Sequence, residues 1–192
     1  MTEQEILDLL KQRGALMEGH FKLASGLHSD RYVEKFRLLE DPVTTGRLIA
    51  ELANRVRSYE PEVVVGPVTG GVILSFEMAR CLGTLAYFTE KTADGGMELR
   101  RGFDVRGKRV LLIEDVITTG GSILKAAQAV KAAGGIVAAY AILVDRSSGR
   151  FRPEEPVEAL VTLEIQTWQP DNLPEHLKSI PLHEPGSRHA KG

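Results

Sequence analysis

An α/β fold is what this sequence predicts: an open, mostly parallel sheet flanked by helices, with a small hood built from the N- and C-terminal segments. Three observations carry it. Short apolar runs rich in β-branched residues are continuous rather than alternating in polarity, which suits strands buried on both faces of a parallel sheet. Segments of helical periodicity separate those runs. The first ~40 and last ~25 residues lack this alternation, and the tail is punctuated by Pro170, Pro174, Pro181 and Pro185.

Taken in order, helical periodicity covers residues 3–13, 42–57, 71–82 and 121–133. The strand candidates are Val63 to Val65, Leu85 to Phe88, Val110 to Ile113, Ala138 to Val144 and Ala159 to Leu163. One domain over residues 1–192 follows, with a core over about 42–165 and a hood over about 1–41 and 166–192. Between two strand candidates, Thr92 to Met97 is polar and glycine-containing, with Arg100 and Arg101 just behind it, and predicts a mobile loop. Ligands in open parallel sheets sit beyond the carboxyl ends of strands, so the residues after each apolar run matter most.

Composition narrows the function. The 24 Lys and Arg residues against 26 Asp and Glu leave a net charge of −2, without the positive field of a nucleic-acid binder, so no nucleic-acid partner is expected. Cys81 is the one cysteine, which excludes an intramolecular disulfide and a cysteine-built metal cluster. Its place in the apolar run Met78 to Leu82 predicts a buried helical position. The acidic start, followed by the amphipathic Ile6, Leu7, Leu9 and Leu10, does not resemble a targeting segment, and no apolar stretch approaches the ~20 residues that cross a bilayer. A cytoplasmic protein with no membrane partner is expected.

The strongest local signal runs from Val110 to Ser122. A strand delivers Glu114 and Asp115, and then Val116-Ile117-Thr118-Thr119-Gly120-Gly121-Ser122 opens a helix. Small residues let backbone N–H groups enclose a phosphate, the hydroxyls of Thr118, Thr119 and Ser122 add donors, and the helix presents its positive end. Carboxylates at the rim suit vicinal ribose hydroxyls or a bound Mg²⁺. A strand end with an ordinary helix cap would also use Thr, Ser and Gly, but it has no need of adjacent acids. Neither G-x-x-x-x-G-K-[ST] nor G-x-G-x-x-G is supplied, which disfavours an NTPase and a dinucleotide dehydrogenase. Carboxylates beside a phosphate cup point to a ribose phosphate.

Other segments read two ways on residues alone. Val65-Gly66-Pro67-Val68-Thr69-Gly70-Gly71 is a plain strand-to-helix turn or a second loop approaching a pyrophosphate. Lys91, with Arg100 and Arg101, is a solvated basic loop or a cation for a departing anion. Arg146, after the long apolar run, could pair bidentately with a substrate carboxylate or form a surface salt bridge with Asp145 or Glu164. His20 and His28 would need further ligands to hold a metal, and a packing or substrate-lid role suits them better. His176, His183 and His189 are scattered through the tail.

Glu114 through Ser122 resembles the phosphoribosyl pyrophosphate signature of the type I phosphoribosyltransferases. Separated matches in order extend that resemblance to the orotate phosphoribosyltransferase family: Gly19-His20-Phe21, Ser25-Gly26-Leu27-His28-Ser29-Asp30-Arg31-Tyr32, Gly66-Pro67, Gly70-Gly71-Val72, Leu99-Arg100-Arg101-Gly102-Phe103 and Pro185-Gly186-Ser187-Arg188. The resemblance implies the type I phosphoribosyltransferase fold and a pentosyltransferase of pyrimidine (UMP) biosynthesis. Its substrates would be phosphoribosyl pyrophosphate and orotate, with Mg²⁺ entering mainly through the donor. By the same resemblance the donor contacts are Lys91 and Glu114, Asp115, Val116, Ile117, Thr118, Thr119, Gly120, Gly121 and Ser122. Ser25, Gly26, Thr118 and Arg146 would contact orotate. Lys91 would be the leaving-group cation and, with Asp115, catalytic. A homodimer in which the basic loop serves the neighbouring site is also implied. The chain departs from many members at Ala24 and Gly70, where they carry lysines, and at Pro174 and Leu177, where a cysteine pair is common, so no metal is expected in the tail. Two other readings share the cup: a phosphoribosyltransferase for another base such as a purine, and a donor-sensing regulator.

Overall fold

The structure, a computed structural model, describes residues 1–23 and 25–185. Ala24, His189 and the Gly186-Ser187-Arg188 part of the tail match lie outside the described residues. Two compact units are present: Met1 with Asp41–Leu163, and Thr2–Glu40 with the segment that begins at Glu164. In chain order, the smaller unit opens with α1 (Glu3–Gln12), β1 (Leu16–Lys22), β2 (His28–Val33) and α2 (Lys35–Leu39). The larger unit follows with α3 (Pro42–Val56), a single 3₁₀ turn, β3 (Val63–Pro67), α4 (Gly70–Leu82), β4 (Leu85–Lys91), β5 (Met97–Leu99), β6 (Arg109–Ile117), α5 (Gly121–Ala132), β7 (Ile136–Asp145) and β8 (Val157–Thr162). The chain then returns to the smaller unit with β9 (Thr167–Trp168), α6 (Glu175–Lys178) and β10 (Leu182–His183).

The larger unit is a six-stranded sheet in the order β5-β4-β3-β6-β7-β8. Its strands run parallel except for β5, which pairs antiparallel with β4. Burial explains the continuous apolar runs: Val63, Val64 and Val65 of β3 and Val110 to Ile113 of β6 are fully enclosed. Helix α3 buries Leu48, Ile49, Leu52, Ala53 and Val56, one stripe of an amphipathic pattern. Its start is set by Pro42 in the first turn and by Asp41, whose carboxylate accepts from the amides of Val43 and Thr44 at 3.1 and 3.2 Å. α1 is closed by a capping box between Thr2 and Glu5. By contrast, α4 and α5 begin without any side-chain cap.

Three expectations change. The chain ends, read as lacking regular alternation, form a second four-stranded sheet in the order β10-β1-β2-β9. Its middle is the local β1–β2 hairpin, but its outer strands β9 and β10 are two residues long and come from far along the chain, His20 opposite Leu182, so local pattern could not reveal the sheet. The polar stretch after Lys91 is the turn of the β4–β5 hairpin, closed by Thr92 N–H donating to the Gly96 carbonyl at 3.2 Å, and Met97 already belongs to β5. Cys81 lies on α4 as expected but is half-buried rather than enclosed, at the last turn of a helix whose inward face is Leu74, Met78 and Ala79. No helix among the described residues is long and apolar enough to cross a membrane.

The β3–α4 turn depends on contact between two glycines. A Cβ at Gly66 would stand 2.1 Å from the Gly71 carbonyl oxygen, so the strand end and helix start touch backbone to backbone. Gly66→Ala should lower stability by ~1–3 kcal/mol, the usual cost of overpacking. Urea denaturation reads it directly, and an unchanged midpoint would contradict the close approach.

Candidate active site

Strand β6 brings the chemistry to the carboxyl edge of the sheet. After the enclosed Ile113 come Glu114, 8% exposed, and Asp115, 2% exposed, both still within the strand rather than in the loop. Successive strand side chains point to opposite faces, so the two acids cannot share one direction. Glu114 lines a cavity of about 450 Å³ together with Val116, Ile117, Thr118, Thr119, Gly120, Gly121 and Ser122. Asp115 is not among the residues described on that lining. Its Oδ1 accepts from the Val116 amide at 2.7 Å, and its own amide donates to Glu114 Oε1 at 3.3 Å.

The cup turns at Gly120, which has φ +72 and is the N-cap of α5. A Cβ there would lie 2.2 Å from Phe151 Cδ2, so the loop is seated directly on that ring. Phe151 is itself buried and meets Tyr140 edge-on, with ring centroids 5.4 Å apart. Glycine at the N-cap leaves the first amides of α5 without a side-chain acceptor of the kind that Thr2 and Asp41 supply to α1 and α3. Only Thr119 Oγ1 stands near, accepting from the Gly121 amide at 3.4 Å. Donors, exposed hydroxyls and the helix's positive end therefore converge on one opening, the arrangement an anion requires.

Lys91 closes the same cavity from the end of β4, with Gly95 and Met97 from the hairpin. Its neighbour Glu90 points to the other face of the strand. There Glu90 accepts from Arg101 Nε at 2.8 Å and pairs with Arg100 at 3.5 Å, and these contacts, Arg101 first, hold its carboxyl below the usual range. Arg100 also pairs with Glu98. Of the three cations around the hairpin, Lys91 is the one on the lining. Lys125 was missed in the sequence. It lines the cavity from α5 and donates to the Gly95 carbonyl at 2.6 Å. Its position four residues after Gly121 is a helical repeat, a signal that was available.

Arg146 follows β7, and its amide donates to the Ile117 carbonyl at 2.9 Å, which ties its backbone to the residue before Thr118. Its side chain is not on the described lining. The Asp145 carboxylate accepts from the Ser147 amide at 2.7 Å. The loop from Gly66 to Gly71 also stays off that lining, and it is tied to β4 by the Val68 amide donating to Thr89 O at 3.1 Å. Ser25 and Gly26 lie in the smaller unit, in the β1–β2 turn, which is closed by Leu23 N–H donating to Leu27 O at 2.8 Å.

Among the described residues, no group of three or more His, Cys, Asp and Glu side chains is arranged to hold a metal ion. A single carboxylate on the lining, Glu114, with Asp115 beside it, is a poor cage. It fits an ion such as Mg²⁺ that keeps its waters and is held chiefly by substrate phosphates.

Comparison with known proteins agrees with this geometry. Residues 40–179 match the phosphoribosyl transferase domain family. The chain is 43% identical to the orotate phosphoribosyltransferase of Desulforamulus reducens, covering 98% of both chains. It is 44% identical to that of Pelotomaculum thermopropionicum, over 98% of this chain and 99% of the relative. The crystal structure of orotate phosphoribosyltransferase from Aeropyrum pernix superposes with a TM-score of 0.71 at 27% identity, covering 83% of this chain and 94% of that one. With its parallel sheet, its Glu114–Ser122 cup and kinship along nearly its whole length, this chain belongs to the type I phosphoribosyltransferase family, among the orotate phosphoribosyltransferases.

Proposed function

We propose that the chain transfers the phosphoribosyl group of phosphoribosyl pyrophosphate to orotate, forming orotidine monophosphate and pyrophosphate in pyrimidine biosynthesis. The observation that carries the reading is the cup from Glu114 to Ser122 with Lys91 on its lining, in a chain 43% identical to a named orotate phosphoribosyltransferase.

In the reaction, an orotate ring nitrogen attacks ribose C1 and gives up its proton to solvent. The bond from C1 to the pyrophosphate oxygen breaks, and its electron pair leaves with pyrophosphate. Positive charge develops on the sugar and negative charge on the leaving group, so no protein nucleophile is needed. The amides and hydroxyls of Thr118 to Ser122 grip the ribose phosphate. Glu114 and Asp115 accept from ribose hydroxyls, or face the ion that travels with the donor. Mg²⁺, when bound, neutralises charge on the pyrophosphate. Lys91 supplies a fixed positive charge to the leaving group. Ser25, Gly26, Thr118 and Arg146 are assigned to orotate from the family motif, with Arg146 offering a planar fork to its carboxylate.

Pyrophosphate release should depend on orotate and on Mg²⁺. Offering uracil, hypoxanthine, xanthine and adenine in its place separates the readings: turnover with a purine would replace orotate, and tight donor binding without release on any base would make the chain a donor sensor. Lys91→Ala and Asp115→Asn should each lower turnover at least about tenfold, or ~1.4 kcal/mol, within reach of the ~2.7–4 kcal/mol that one preorganised donor supplies. A near-normal rate in either variant removes that residue from the mechanism. Gly120→Ala should raise the donor KM by at least about tenfold, because its Cβ must displace Phe151 and strain a left-handed backbone. A homodimer is tested by mixing the Lys91→Ala and Asp115→Asn proteins. Partial recovery in demonstrated mixed dimers supports a loop that serves the neighbouring site, and no recovery supports Lys91 acting on the cup of its own chain.

A further inference from the structure

His20 and His28 are buried in the smaller unit, 5% and 7% exposed, and the mechanism above does not use them. They face one another across the β1–β2 hairpin, with His20 Nε2 and His28 Nδ1 2.7 Å apart and ring centroids 4.8 Å apart. His28 stands opposite Lys22 at the mouth of the turn that holds Ser25 and Gly26, and His20 lies two residues further back on the same face. A bulge in β1 between Glu18 and Phe21 shifts the register just before this point. On its other side His20 Nδ1 is 3.1 Å from the carbonyl oxygen of Ile180, immediately before β10.

The partners dictate the protons. A carbonyl only accepts, so His20 Nδ1 carries the hydrogen and donates to Ile180 O. In that tautomer His20 offers a lone pair at Nε2, and His28 donates to it from Nδ1. The relay runs one way, from His28 through His20 to the C-terminal segment. Ser29, next in β2, adds a parallel tie by donating from its hydroxyl to Gln166 O at 2.9 Å.

We propose that His20 and His28 are a positioning pair for orotate: their relay clamps the base of the turn that carries Ser25 and Gly26, and thereby sets orotate affinity. The inference rests on the reading of Ser25 and Gly26 as orotate contacts. Geometry supports it: among the described residues the turn itself is held by Leu23 N–H to Leu27 O at 2.8 Å, Gly26 N–H to Leu23 O at 2.9 Å and Leu27 N–H to Ser25 Oγ at 3.4 Å, with the exposed Lys22–Glu184 pair at its base. A short hairpin has little stability of its own, so a buried clamp at its base decides how firmly its tip is held.

Burial first, then electrostatic interaction with His20 and Lys22 of β1, keep His28 below the ordinary histidine pKa, and Glu184, just after β10, opposes them. The first proton can enter only at His28 Nε2, since every other ring nitrogen is committed. As pH falls through the ordinary value of 6.5, the unfolded chain takes up a proton that the folded clamp resists, so the clamp weakens toward acid.

The test uses the full chain with His28→Leu, which cannot donate, and His28→Asn, whose amide can donate but does not titrate. His28→Leu should raise the orotate KM about fivefold or more while the donor KM stays within about twofold, and should speed amide exchange at Gly26 and Leu27. His28→Asn should restore both toward wild type and remove the rise in orotate KM that is expected of the wild-type protein below about pH 6.5. A merely structural role predicts a smaller active fraction with both KM values unchanged, and that result overturns the proposal. So does an acid limb that persists in His28→Asn, which stays decisive even where His28→Leu fails to fold. An unchanged orotate KM in Ser25→Ala and Gly26→Val sinks the orotate reading and with it the link to affinity, whereas amide exchange in the His28 variants judges the clamp separately.

Discussion

Strand β6 is enclosed along Val110 to Ile113 between β3 and β7, and its two acids follow at once, still paired with β7 through Glu114. Four fully buried Val, Leu and Ile side chains at ~1.5–3 kcal/mol each hold that register firmly. A shift of one residue would exchange the faces of Glu114 and Asp115 and carry Glu114 away from the cavity. The apolar half of the strand therefore fixes where each acid points. Glu114 comes to the cavity, and the chain must then turn at Gly120 against Phe151 before α5 can begin.

The starts of the four longer described helices divide along the same line between structure and chemistry. α1 and α3 satisfy their first amides with Thr2 and Asp41, residues that would obstruct an incoming anion. α4 and α5, which follow β3 and β6 at the carboxyl edge of the sheet, have no such cap. A start without a side-chain cap forgoes helix stability, only a few tenths of a kcal/mol where the cap is a glycine such as Gly120. That loss is tolerable because both helices bury apolar faces on the sheet, through Leu74 and Met78 in one and Ile123, Ala126 and Val130 in the other. Packing supplies the stability, which leaves the termini open for ligand.

The core was legible because parallel strands buried on both faces read as unbroken apolar runs, and the helices between them repeat at helical spacing. The cup was legible because adjacent acids followed by hydroxyls and glycines have a use at a strand end only when something binds there. What escaped the sequence has long-range or directional causes. The smaller sheet pairs His20 with Leu182 and His28 with Trp168, and two of its four strands are two residues long, too short for any period to show. The opposite facing of Glu114 and Asp115 follows from strand alternation once β6 is known to run to Ile117, which the apolar run alone did not say.

Alternation also sorts the cations. In β4, Glu90 and Lys91 must face apart, and Glu90 engages Arg101 and Arg100 on its side, so those guanidiniums are occupied where an anion in the cup would not meet them. Lys91 is left on the cavity side, where α5 adds Lys125. Two lysines against the single carboxylate of Glu114 give that lining a positive balance. The family pattern has a lysine where this chain has Gly70, and Gly70 here is buried at the start of α4, with no side chain to offer. Positive charge reaches the cup instead from a hairpin and from the first turns of α5. Lys125 bonds the Gly95 carbonyl in the turn beyond Lys91, so α5 and the hairpin that brings these two charges are tied to each other at the cavity.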